Sequence, residues 1–524
     1  MGIRLFVISR ANFWHFCASP YRATSQTMNI FQGIRRLVPF CAWVLVACGG
    51  GGGSSSGGGT TPPPVVPPPV TPTITFNNAS VHDPSIIKVG TEYYVFGSHL
   101  AAAKSTDLMN WTMVADGVNN ANPLFTNVLT ALQPTFAWSQ VNDLWAPDVV
   151  KLGDGKFYFY YDSCKGDSPL SALGVAAADT INGPYTNKQI LLKSGMAGLS
   201  EDGVTNYDAQ VHPNVVDPNT FFDQAGNLWM IYGSYSGGIF ILAMDEATGL
   251  PETGQGYGKH LLGGNHARIE GAYVLYSAQT GFYYMFSSFG GLDANGGYNI
   301  RVSRSQAPDG PYFDAAGTDM ATVRGNPAVL FDDTRIAPYG QKLMGNYQIT
   351  LATGETGTAL GYVSPGHNSA YFDAGTAKYF LIFHTRFPSR GEVHEIRVHE
   401  LLFNSQGWPV AAPFRYAPLS LSTTALSADV TNTDAQGNYR YINHGKDITA
   451  AIKSSAAISL NADGTVSGAV TGTWIHRGNN LIDLTIGGTL YYGVLSRQWN
   501  TNANAFVVTF SAQSQGGVSI WGVK

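Results

Sequence analysis

From about residue 77 to about 412, one pattern of polar and apolar positions recurs five times along the chain. A polar residue opens each unit and a short apolar stretch follows. A turn rich in Gly and Asp comes next, then a second stretch dense in Tyr, Phe and aliphatic residues. The five stretches are HDPSIIKVGTEYYVFGSH from His82, APDVVKLGDGKFYFYYDS from Ala146, DPNTFFDQAGNLWMIYGS from Asp217, EGAYVLYSAQTGFYYMFSS from Glu270 and HNSAYFDAGTAKYFLIFH from His367. Alternation interrupted by such turns predicts a β-hairpin in each. The units start roughly 50–100 residues apart, which leaves room for two further strands apiece. Some of these strands are visible as LGVAAA at Leu173, IFILAM at Ile239 and NIRVSRS at Asn299, several followed by a Gly-Pro-Tyr turn. Five four-stranded units in one chain predict an all-β fold, a five-bladed β-propeller. Long helical periodicity is absent.

That architecture has a chemical consequence. The innermost strand of every blade lines the central channel, so the polar residue opening each unit reaches the same end of it. Those residues are Asp83, Asp148, Asp217, Glu270 and His367. Four carboxylates and an imidazole converging on one cavity are costly as mere filling. Carboxylates around a wet cleft suit hydrolysis of a glycosidic bond, where a protonated one donates to the leaving oxygen and an ionised one activates water. Like charges set the two pKa values apart. The repeat alone does not say which carboxylate has which task.

Composition sharpens this reading. With 61 Gly, 27 Phe and 27 Tyr but only 12% charged residues, the chain fits an all-β protein full of tight turns. The formal net charge of −5 excludes the basic footprint of a nucleic-acid binder and is compatible with a neutral polymer. Only Cys164 lies in the globular part, and it is expected as a buried small side chain.

The ends of the chain read differently. Asp83 is the first acidic residue of the sequence. Residues 1–47 have the layout of an export leader, which reads best from Met28: Arg35 and Arg36 form the charged region and Leu37 to Ala47 the apolar one. The run Leu45-Val46-Ala47-Cys48 resembles a lipoprotein lipobox, which implies cleavage before Cys48 and lipidation of its sulfur. Residues 48–73 continue as a Gly/Ser-rich then Pro-rich tether. The domain prediction is therefore a propeller over 74–412 and an accessory all-β domain, barrel or sandwich, over 413–524, where polar alternation is broken by turns at Gly437-Asn438, Asp463-Gly464 and Gly487-Gly488.

HDPSII at His82, LWAPDVVK at Leu144, VDPNTFFD at Val216, IEGAYVLY at Ile269 and GHNSAYF at Gly366 resemble the blade motifs of glycoside hydrolase family 43, most closely its two-domain endo-α-1,5-L-arabinanases. The resemblance implies an inverting hydrolase of arabinan, with Asp83 as general base, Glu270 as general acid and Asp217 as the carboxylate that orients the acid and tunes its pKa. It places no catalytic carboxylate at Asp148, which is then structural or a cavity liner. It implies a calcium ion held partly by His367. One departure is Ala272, where relatives usually carry proline. The stretch from Ala315 to Leu360 is longer than in compact relatives.

Several expectations complete the reading. His82, Trp145, Tyr235 and Phe289 are candidate substrate contacts, the aromatics as sugar platforms. In the last domain Trp474, Tyr491, Tyr492 and Trp499 are candidate platforms, or the domain is a buttress at the edge of the cleft. The expected partners are arabinan and its oligosaccharides, with no nucleic acid and with membrane contact only through the lipid anchor on an exported, surface-bound or secreted monomer. Two alternatives stay open: an exo-acting arabinofuranosidase or β-xylosidase on the same propeller, and a non-catalytic glycan-binding surface lipoprotein.

Overall fold

The computed structural model describes residues 74–524. Cys48 and the predicted leader and linker lie outside the described residues. Five sheets of four to six strands form the propeller, and a closed eight-stranded barrel follows. Each predicted hairpin supplies the two inner strands of one blade: Ser85–Val89 with Glu92–Gly97, Asp148–Lys151 with Phe157–Cys164, Asn219–Phe222 with Leu228–Tyr232, Ile269–Ser277 with Phe282–Phe289, and Gly361–Asp373 with Lys378–Arg386. The strands read from LGVAAA, IFILAM and NIRVSRS are the third strands of blades two, three and four.

The five inner strands touch in cyclic order and the last meets the first. Among the described residues no strand is exchanged to close the ring; side-chain packing and a backbone hydrogen bond close it. Val81 and Val95 of the first blade pack with Phe380, Ile382 and Val398 of the fifth in one buried cluster. The N–H of Ile396 donates to the carbonyl of Ala79, and Lys88 pairs with Asp373 at 2.5 Å. Cys164 is fully buried, as expected.

Each second strand is largely buried on both faces because it is covered by the neighbouring blades. Phe157–Cys164, for example, is buried along its whole length. The stretch Ala315–Leu360 wraps the fourth blade with two short 3-10 turns, its outer strand Gln341–Met344 and a two-residue strand at Tyr347. Arg268 forms an ion pair with Asp333 there and holds the wrap against the blade that carries Glu270.

The barrel runs from Gly437 to Val523. Trp474 and Tyr491 are buried in its core, and Trp499 is buried under Ile74 and Met109. These three expected platforms are corrected: rings with 4–6% exposure offer no face to a sugar. Residues 444–453 instead lie along the fourth blade. Arg301 donates to the carbonyl of Lys446 at 2.7 Å, and Lys342 donates to the carbonyls of His444 and Asp447 at 3.0 and 2.7 Å. Ile448 packs on the cluster that holds Phe289 and Ile269. The barrel therefore buttresses the strand that begins with the predicted acid.

Candidate active site

Strand geometry explains why some opening residues face the channel and one does not. Asp83 and Asp217 each lie two positions before their strand, directly ahead of a proline, with φ of 54° and 58°. His367, inside a bulged strand, has φ 41°. Non-glycine residues seldom adopt this left-handed region, and holding them there costs about 1 kcal/mol each or more. Here the unusual backbone turns the side chains into the channel.

Asp148 instead is the first residue of its strand, in register with Ser85 and Asn219. Its Oδ2 accepts from the N–H and Oγ1 of Thr220, both at 2.6 Å, and its Oδ1 accepts from Ser85 Oγ. Asp148 is thus a clasp joining the inner strands of blades one, two and three.

Asp83 is gripped from several sides. His82 Nδ1 lies 2.7 Å from Oδ2, His367 Nδ1 lies 3.1 Å from Oδ1, and Ser98 Oγ donates to Oδ2. Its backbone N–H donates to His384 Nδ1 at 3.1 Å. Burial works to raise the Asp83 pKa, but the charges of His367 and His82 outweigh it and hold the carboxyl well below its ordinary range. Burial lowers the pKa of His82, opposed by the Asp83 charge, and takes that of His384 well below the ordinary imidazole value; the two rings stack 3.7 Å apart. His82 thus serves Asp83 first, whatever it offers a substrate.

Glu270 lies at the start of the fourth blade. Its Oε2 accepts from Ser234 Oγ at 2.7 Å and its Oε1 from Tyr298 at 2.8 Å. Burial raises its pKa, opposed by the charge of His367 and by these two donors. A register shift between Glu270 and Tyr273 places Gly271 at φ 60° and buries Ala272 at the position of the family's proline. Two glycines of the motifs are required by contact. A Cβ on Gly271 would lie 2.9 Å from the His367 ring, and one on Gly366 would lie 2.0 Å from the ring of Tyr298.

Asp217 completes the set. One oxygen accepts from the N–H of Gly271 at 3.3 Å, which ties it to the residue after Glu270. Burial raises its pKa to about 8, with His367 opposing and the charges of Glu270 and Asp83 adding to the rise. His367 itself is raised to about 10: burial would lower it, but Asp83, Asp217 and Glu270 surround it with negative charge.

The sequence reading missed a second set of residues, one closing each of the second to fifth repeats. Asp162 accepts from the N–H of Asp217 at 3.2 Å, Ser234 donates to Glu270, Ser288 accepts from the N–H of His367 at 2.7 Å, and His384 accepts from the N–H of Asp83. In every case the closing residue of one blade holds the opening residue of the next, and the fifth blade holds the first.

Among the aromatic candidates, Trp145 is half-buried, with Nε1 donating to the Cys164 carbonyl at 3.2 Å and its ring edge-on to His99. Phe289 is corrected: it is fully buried in the core of the fourth blade, with the Arg301 guanidinium over its ring. Tyr235 is 5% exposed, with Phe331 5.8 Å from its ring, and is likewise a wall rather than a platform.

A low-pKa carboxylate, a raised-pKa carboxyl and a third carboxyl tied to the second, on a propeller channel, define a glycoside hydrolase. The chain belongs to glycosyl hydrolase family 43, whose model matches residues 73–333, and a C-terminal lipocalin-like domain model of that family matches 413–522. It is 58% identical over 449 residues to extracellular endo-α-(1→5)-L-arabinanase 2 of Bacillus subtilis, covering 86% of this chain and 94% of that one. It is 49% identical over 459 residues to the extracellular endo-α-(1→5)-L-arabinanase of Thermotoga petrophila, with the same coverage. The fold superposes on a family 43 glycoside hydrolase from Bacillus licheniformis with a TM-score of 0.82 at 58% identity, covering 86% of this chain and 99% of that structure. The Thermotoga petrophila endo-1,5-α-L-arabinanase structure gives 0.81 at 49% identity and the same coverage.

Proposed function

We propose that this chain is an exported endo-acting arabinanase that cleaves α-1,5-linked arabinan with inversion. The observation that carries the mechanism is the division of charge within one cluster: His367 and His82 hold the Asp83 carboxyl well below its ordinary range, while burial pushes Glu270 and Asp217 up. Asp83 takes the proton of a water as it attacks the anomeric carbon. Glu270 gives its proton to the departing oxygen of the next sugar. Asp217, through Gly271, fixes where that proton is presented. The relatives' names support arabinan as the substrate and an extracellular place of work.

A calcium ion beside His367 belongs to the same proposal. His367 Nδ1 is engaged by Asp83, which leaves Nε2 for a ligand. Asp162 Oδ1 and His384 Nε2, on residues touching Asp217 and Asp83, are buried without a protein partner. One imidazole among carboxylates and unmatched polar atoms fits a largely hydrated hard cation rather than an all-protein cage. Such an ion would supply positive charge that keeps the carboxylates ordered. Lipidation at Cys48 is the anchoring part of the proposal. Intact mass of the membrane fraction should show an acylated cysteine, and a soluble protein starting elsewhere would remove it.

The experiment that tests the substrate assignment is a product profile on linear 1,5-arabinan. Short oligosaccharides with little monomer in the first minutes support endo action. Monomer alone would establish an exo enzyme instead.

A further inference from the structure

A cavity of ≈ 570 Å³ opens between blades four and five and the barrel. It is remote from the catalytic cluster. Phe282, on its wall, pairs with Ser277 at one end of the fourth blade, while Glu270 pairs with Ser288 at the other. Seven residues of strand separate the ends, roughly 20 Å.

Its lining carries two charged residues of opposite sign, Arg304 and Asp314, and both are engaged by the protein. Arg304 is held with its guanidinium 4.3 Å from both the Phe282 and Trp408 rings, and it donates to the carbonyls of Gln406 and Gly407 at 2.9 and 3.2 Å. Asp314 is used up by the N–H groups of Ala316, Thr318 and Gly340. What remains for a ligand is aromatic and amide. Phe313 is 39% exposed and Tyr492 is partly exposed, the latter being the one expected barrel platform not buried in the core. The exposed amide side chains of the lining are those of Gln306, Gln406 and Gln515, with Gln341 and Gln513 buried behind the wall. The walls are also fixed relative to each other: Gln341 donates to the Ser514 carbonyl at 3.1 Å and Asn404 to that of Tyr492 at 3.2 Å, both across the propeller–barrel boundary.

We propose that this groove is a second glycan-binding site, taking a short neutral segment of arabinan and holding the polymer on the enzyme away from the catalytic channel. An aromatic face for sugar C–H groups, neutral amides for hydroxyls and no free charge suit an uncharged saccharide and disfavour phosphate or acidic peptide. The inference rests on arabinan being the substrate.

The test is calorimetric titration of arabinotriose into full-length Glu270→Gln protein, beside the same protein carrying Phe313→Ala and Tyr492→Ala. Two sites are expected in the first and one in the second. In the otherwise wild-type enzyme the double substitution should raise KM for polymeric arabinan about 3- to 10-fold, the scale of losing aromatic contacts, with kcat and the turnover of arabinotriose unchanged. Gln515→Leu, which keeps the volume but not the amide, should weaken the second site in the same direction. One site in both titrations, with normal turnover of arabinan by the wild type, would overturn this proposal alone. Absence of arabinan turnover in the wild type would overturn the substrate assignment instead.

Discussion

Ser234, at the end of the third blade's second strand, donates a 2.7 Å hydrogen bond to Oε2 of Glu270 on the fourth blade. With Tyr298 on Oε1, it favours the ionised form of a group whose burial favours the neutral one. Ser234→Ala and Tyr298→Phe should therefore each raise the Glu270 pKa, by about one unit for a hydrogen bond to a charged group. The alkaline limb of kcat/KM should move to higher pH in both. An unmoved or downward-shifted limb would show that these donors do not set the acid.

Asp83→Asn and Glu270→Gln should each lose about 10²–10⁴-fold in kcat with the fold retained. Only Glu270→Gln should recover on an arabinoside whose leaving group needs no proton. Asp217→Asn should be severely impaired, because it removes the third carboxyl of the cluster, which is tied to the N–H of Gly271, the residue after Glu270. Asp148→Asn should behave differently: a lower Tm with a much smaller loss in kcat, as expected of a clasp to Ser85 and Thr220. Circular dichroism and initial rates on arabinan separate the two kinds of effect.

The raised pKa of Asp217, about 8, makes a stability prediction with a definite sign. The unfolded chain loses this proton near the ordinary aspartate value of about 3.9, and the folded chain keeps it to higher pH. Its contribution to stability is therefore complete below about pH 4 and is lost as pH rises towards 8. In chelated protein, Asp217→Asn should flatten the fall in Tm between pH 5 and 8. An unchanged slope would mean that Asp217 titrates normally.

Calcium is expected to copurify and to depend on His367. His367→Ala should lose the ion by elemental analysis, and chelation of the wild type should lower both Tm and activity, with calcium restoring them. An active, calcium-free preparation would remove the ion from the account.

Particular residues show how far the sequence carries. The five hairpins were legible because each pairs a period-two apolar stretch with Gly or Asp turn chemistry, and the channel-facing set followed from their opening residues. Asp148 shows the limit of that rule. It follows its proline where Asp83 and Asp217 precede theirs, and that offset places it within the strand ladder rather than ahead of it. The closing residues Asp162, Ser234, Ser288 and His384 were also on view at the ends of the repeats. Serine in a turn carries no signal of its own, and only the cyclic neighbour relation between blades reveals what it holds. Phe289 and Tyr235 failed as platforms because adjacency to a motif does not say which face of a strand a ring takes. Tyr298 was invisible for another reason: its reach to Glu270 depends on a missing side chain at Gly366, on a different blade.

The central claim is that Asp83 activates water on one face of the sugar while Glu270 protonates the leaving oxygen from the other. Proton NMR of the first product released from linear 1,5-arabinan, recorded before mutarotation, tests it most directly. Inversion predicts the β-anomer of the new reducing end as the first signal. Initial appearance of the α-anomer would contradict it and make one of the two carboxylates a nucleophile.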